Sequence, residues 1–183
     1  VPEMAPADEL LKARFIKMHD ERFSFTHDLY GDWALYKLIL SHSSQLPSFL
    51  VSKHLSSPLW TRAFRYYSIS LLEKEPEKNK WLETFRLFFG KSAQQVIIQD
   101  LMLEALFYSN NALDHLQRLK DFLFENKGEY LQRLLTLFQL RATMANPEVL
   151  ERAKNAGIKE TVALEINRLP IWNYWADIVH FIH

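Results

Sequence analysis

The apolar residues of this chain recur every three or four positions almost throughout, and outside Phe23–Phe25 they do not alternate with period two. Spacing near 3.6 lines side chains along one face of a helix, whereas a half-buried strand needs alternation. A sheet therefore has little raw material. The pattern predicts an all-α chain of about ten or eleven helices joined by short links. The 4 Gly and 7 Pro fall where those helices are expected to start or stop.

In chain order the spacing predicts helices over Asp8–Met18, from a Thr26 cap to Leu40, over Pro47–His54, Leu59–Glu73 and Glu77–Phe89, and from Ser92 to Tyr108. Further helices are expected over Ala112–Glu125 and Gly128–Met144, from Asn146 to about Gly157, and over Glu160–Arg168 and Pro170–Phe181. Ser57-Pro58 is a cap followed by proline at the first helical position, and Asn146-Pro147-Glu148 repeats that signal. Ser92-Ala93-Gln94-Gln95 has capping-box spacing, and Gly90 stands where a left-handed cap would end the helix before it. Between Thr26 and Leu40, Leu29, Trp33, Tyr36 and Leu40 line one face, while Ala34, Leu35, Leu38 and Ile39 fill most of the rest. Such a helix is expected to be buried on nearly all sides.

After Leu59 the pieces read as successive helix pairs of about 35–50 residues, the length of HEAT and armadillo repeats. The expected architecture is an irregular α-α superhelix of such pairs, with a single compact helical bundle as the alternative.

Composition narrows the function classes. Apolar residues make up 48% of the 183, so a core can form and disorder is not expected. Lys plus Arg equals Asp plus Glu at 22 each, which argues against a nucleic-acid or anionic-membrane surface. No cysteine is present, so disulfides and thiolate metal sites are excluded and a cytoplasmic home is expected. No apolar run approaches the ~20 residues of a membrane span. The chain opens on Val1-Pro2 and stops inside an apolar helix, which reads as a piece of a longer protein.

The sequence seeds little chemistry. Gly90-Lys91-Ser92 matches the tail of a phosphate loop, but the Gly required five positions earlier is Phe85, inside a helical pattern. His180 and His183 could share a zinc ion with Asp177 on the same face, but a fourth ligand is wanting and a metal site is not expected. Glu73 with Glu75, and Glu148 with Glu151, read as solvated faces and dipole complements near helix starts. Trp60, Phe64 and Tyr67 read as core, with Arg62 and Arg65 on another face.

One stretch carries a resemblance. Phe25-Thr26-His27-Asp28-Leu29, followed by Asp32-Trp33-Ala34, resembles the end of the winged-helix domain in STAND-type NTPases, the group of NACHT and NB-ARC proteins. Their winged helix ends in a Phe-x-(Met)-His-Asp-Leu pattern, with Thr26 here where the plant members have Met, and a helix with an acidic and a small residue follows. The resemblance implies that His27 contacts the β-phosphate of bound ADP in the full-length protein and helps hold the resting state. It also implies residues 1–42 as the end of a winged-helix-like segment with a linking helix, and 43–183 as a helical-repeat sensor. A second Met-His-Asp, at Met18-His19-Asp20, precedes Glu-Arg-Phe and is expected to be coincidental.

On that resemblance the fragment is non-catalytic and holds no cofactor of its own. ATP or ADP with Mg is implied only for a full-length ATPase. Its partners are a protein trigger, the upstream NTPase domain in cis, and further copies on oligomerisation, with no nucleic acid and no membrane. A self-contained helical-bundle ligand binder or enzyme, with a pocket between helices, is the alternative.

Overall fold

Local caps set many element boundaries in the computed structural model, which describes residues 5–51, 53, 57–74, 79–90, 92–158 and 168–183. The fold is all-α. Among those residues, ten α-helices are joined by two small two-stranded ribbons. Contacts divide the chain into two compact units, Val1–Tyr67 and Ser68–His183.

The first unit opens with α1 (Ala5–Lys12), shorter than the expected 8–18 helix. Arg14 takes a left-handed φ of 60°, the Phe15 N–H reaches Leu10 O at 3.0 Å, and the Arg14 N–H reaches Leu11 O at 3.0 Å. These two bonds form a Schellman motif that stops the helix before Phe15 and Met18 can join it. The chain then forms a hairpin, β1 (Ile16–His19) against β2 (Arg22–Phe25), with His19 opposite Arg22. The two-residue turn places both Asp20 and Glu21 at positive φ, the backbone of a type I′ turn without its usual Asn or Gly. Phe23–Phe25 is thus a strand as its alternation predicts, and Ile16–His19 is a second one that the helical spacing concealed.

Next come α2 (Asp28–Ser41), a 3-10 turn, α3 (Leu46–Val51) and the start of α4 (Pro58–Lys74). Ile39, Leu46, Leu50, Ala63 and Phe64 form the core of this unit. The expectation for α2 is corrected here: Leu29 and Trp33 are 59% and 62% exposed. The buried positions are Gly31, Asp32 and Ile39, so the face turned inward is the one with the glycine and the carboxylate. A Cβ at Gly31 would stand 3.2 Å from the Phe25 ring, which would have to give by a few tenths of an ångström, and in ordinary contact with Leu59.

The second unit is organised on α6 (Ala93–Tyr108), where all seven residues Leu101–Phe107 are buried. Ser92 and Gln95 form the expected capping box. Before it, α5 (Lys80–Leu87) ends without a left-handed glycine: Gly90 has no positive φ, and its missing side chain makes room for Gln95, whose Oε1 would lie 2.1 Å from a Cβ. After it come α7 (Ala112–Arg118) and α8 (Lys120–Arg141). Non-helical Glu125–Gly128 breaks α8 in two, with Asn126, Lys127 and Gly128 all left-handed.

Polar groups of α6 meet arginines of α8. Arg133 donates to Gln99 Oε1 at 2.6 Å and to Asp100, and Arg141 Nε donates to Glu104 Oε1 at 3.1 Å. Gln99 and Glu104 are 4% and 2% exposed, so these bonds satisfy groups that water does not reach. Trp81, Phe85, Phe122 and Tyr130 pack ring on ring, with Phe122 and Tyr130 stacked at 4.7 Å. Burial pushes the Tyr130 hydroxyl above the ordinary tyrosine range.

A remote ribbon closes the unit. Met144, expected at a helix end, lies in β3 (Thr143–Ala145), which pairs antiparallel with β4 (Arg168–Pro170). Between them α9 (Pro147–Asn155) starts on the Asn146 cap and ends in a Schellman motif at left-handed Gly157. The final helix is α10 (Trp172–Ile182). Ala142 O accepts both the Ile171 N–H at 2.8 Å and the Trp175 indole N–H at 3.0 Å. Pro76, His54 and most of the expected 160–168 helix lie outside the described residues; Arg168 belongs to β4.

Candidate functional site

The hairpin delivers the chain to His27. Thr26 is not the helix cap. Its N–H donates to Phe15 O at 3.0 Å, and its hydroxyl donates to Arg14 O at 2.6 Å, closing the base of the ribbon. His27 caps α2 instead, in an extended conformation (φ −141°, ψ 139°), and its Nδ1 accepts the Leu29 N–H at 3.1 Å. A ring nitrogen that accepts carries no proton, so the imidazole proton is on Nε2. The ring is exposed, and it meets Tyr30 edge-on at 6.0 Å. Tyr30 in turn meets Phe15 edge-on at 4.8 Å. Asp28 sits in the first turn of α2.

One turn on, Asp32 is 4% exposed and receives Arg62 Nε of α4 at 2.9 Å and 3.1 Å, one distance to each carboxylate oxygen. The hydrogen bond to Asp32 holds the Arg62 guanidinium above its already high value, and the charges of Asp32 and Asp28 act in the same direction. Arg62 thus has a partner that sequence spacing, 30 residues away, could not supply.

The other expected residues separate. His19 Nδ1 lies 2.9 Å from Asp20 at the exposed hairpin turn, so the second Met-His-Asp is part of a tight turn. Lys91 of the Gly-Lys-Ser match lies outside the described residues, and Gly90 and Ser92 serve the α6 cap. Among the described residues no group of three or more His, Cys, Asp or Glu is placed to hold a metal ion, His180, His183 and Asp177 included. Glu73 is no solvated charge: it is half-buried, and its Oε1 accepts the Asn110 N–H at 3.0 Å. Glu75 lies outside the described residues.

Glu73 leads to a cleft that the sequence did not suggest. It opens in the second unit with a volume of ≈ 450 Å³, lined by Glu73, Asn111, Asp114, His115, Gln117 and Arg118. His115 is 3% exposed, the Arg118 guanidinium bonds its Nδ1, and its Nε2 is buried without a partner. Desolvation, reinforced by Arg118, pulls the His115 pKa below the ordinary histidine value. A second void, beside Trp81 and Leu119, measures only ≈ 20 Å³, room for about one water.

Comparison with known proteins returns no match: no protein family, no curated protein and no solved structure. Among the described residues no helix is long and apolar enough to cross a membrane.

Proposed function

We propose that the chain is the junction between the winged helix and the helical-repeat sensor of a STAND-type NTPase. It contributes no catalysis itself, and couples recognition of a protein trigger to the nucleotide state of an upstream NTPase domain. The observation that carries the reading is the arrangement at His27. A helix and a two-stranded wing lead into a histidine that caps the following helix, and its Nε2–H is left as a donor on an exposed ring. A phosphate oxygen is a suitable acceptor for such a donor, and the positive end of α2 favours the same charge.

On this reading ATP or ADP with Mg is held by the NTPase core, His27 reports on its phosphates, and helices after residue 42 stack as HEAT-like pairs that bind the trigger. Trigger binding would free His27 from the nucleotide, allow exchange and permit oligomerisation in a cytoplasmic setting. The neutral charge balance supports protein, not nucleic-acid or membrane, partners.

The test is His27→Ala in the full-length protein, with bound nucleotide measured by chromatography of the denatured complex. Loss of retained ADP, or a higher basal activity, is expected. Unchanged nucleotide content and unchanged exchange would overturn the reading.

A further inference from the structure

The cleft of the second unit has unmatched chemistry. Arg118 donates to His115 Nδ1, which leaves the ring proton on Nε2, and that donor is buried with no acceptor. Buried donors in folded proteins are nearly always paired, so an orphan beside an open cleft points to a missing partner. The cleft volume of ≈ 450 Å³ falls in the range of small-molecule sites. Its lining is polar and mixed in charge: Arg118 is positive, Glu73 and Asp114 are negative, and Asn111 and Gln117 offer both donors and acceptors. A simple anion would meet two carboxylates, a simple cation would meet a guanidinium, and an apolar ligand would strand them all.

We propose that this cleft binds a small zwitterion of the free α-amino-acid class. Its carboxylate takes hydrogen bonds from Arg118 and from His115 Nε2–H, with a small turn of the imidazole towards the ligand. Its ammonium group lies between Asp114 and Glu73 Oε2, the Glu73 oxygen not engaged by the Asn110 N–H. The side chain projects to solvent past Asn111 and Gln117, which are exposed. This site does not rest on the nucleotide-switch reading and stands or falls apart from it.

The test is calorimetric titration of the 183-residue chain with each common α-amino acid, with acetate, inorganic phosphate and methylamine as single-charge probes. At least one amino acid should bind with Kd of about 1 mM or tighter, and the single-charge probes at least tenfold more weakly. Asp114→Asn and Arg118→Gln change exposed side chains and should each weaken binding at least tenfold without unfolding the chain. Binding should also move the His115 Nε2 resonance in a long-range nitrogen–proton spectrum. Absence of any amino-acid binding at about 10 mM would overturn the proposal. So would equal binding of acetate or phosphate, or an affinity indifferent to both substitutions.

Discussion

Arg62 Nε stands 2.9 Å and 3.1 Å from the two carboxylate oxygens of Asp32, so a single N–H is shared by a carboxylate that is only 4% exposed. The pair joins α2 to α4 within the first unit, one turn beyond the histidine cap. A buried carboxylate with its cation removed is worse than no carboxylate at all. Arg62→Met should therefore lower the urea midpoint more than the double substitution Asp32→Leu with Arg62→Met. Equal midpoints would mean that Asp32 finds water once Arg62 is gone.

Ser68 and Trp81 form a second buried pair. The indole N–H donates to Ser68 Oγ at 2.9 Å, and the two residues are 0% and 2% exposed. Ser68→Ala leaves that N–H unpaired and should cost about 1–3 kcal/mol in equilibrium unfolding. Adding Trp81→Phe should cost less than the sum of the single losses, because the orphaned donor leaves with the ring.

Gly90 tests the α6 cap. A methyl group there would stand 2.1 Å from Gln95 Oε1, so Gly90→Ala should displace the amide that completes the capping box. The expected loss is less than the ~1 kcal/mol of a lost N-cap, because the Ser92 Oγ bond to the Gln95 N–H stays in place. It should shrink in a Gln95→Ala background, where there is no amide to displace; a full loss in that background would place the strain in the backbone.

His115 gives the second unit an acid-sensitive point. Its folded pKa lies below the unfolded value, chiefly through burial and then through Arg118. The unfolded chain then binds the proton more readily, so stability is fully present above about pH 6.5 and falls as pH drops towards the folded pKa. His115→Gln should flatten that decline in urea titrations between neutral and mildly acidic pH. A slope unchanged by the substitution would assign the decline to other groups.

The sequence is most legible where a signal is local. Pro58 at a helix start, the Ser92–Gln95 box and the Asn146 cap each place an element within a residue or two, because the fixed φ of proline and the short cap bonds act within three residues. It is least legible where non-glycine residues adopt left-handed backbone. Arg14, Asp20 and Glu21 carry none of the usual Gly or Asn signal, so β1 of the first ribbon reads as the end of a helix. The second ribbon pairs Met144 with Leu169, and no local pattern announces a partner that far along the chain.

Two helices show the limit of composition. Both α2 and α6 are apolar on nearly every side, yet only α6 is enclosed. Apolar content says that a helix can be buried; the neighbours decide whether it is. The same holds for candidate sites. His27 stands out through its neighbours in sequence, although the α2 cap that it provides was expected at Thr26. The cleft was hidden, because Glu73 and His115 meet only after α4 and α7 have packed.

The carbonyl of Ala142 also bears on how the chain end is retained. It takes two donors from residues 171 and 175, beside the strand pairing of 143–145 with 168–170. Residues 168–183 are thus gripped by the same kinds of bond that hold a bound peptide, independently of the covalent path leading to them. Cut between 158 and 168, the tail should stay seated, and a synthetic copy of it should compete for the vacated place.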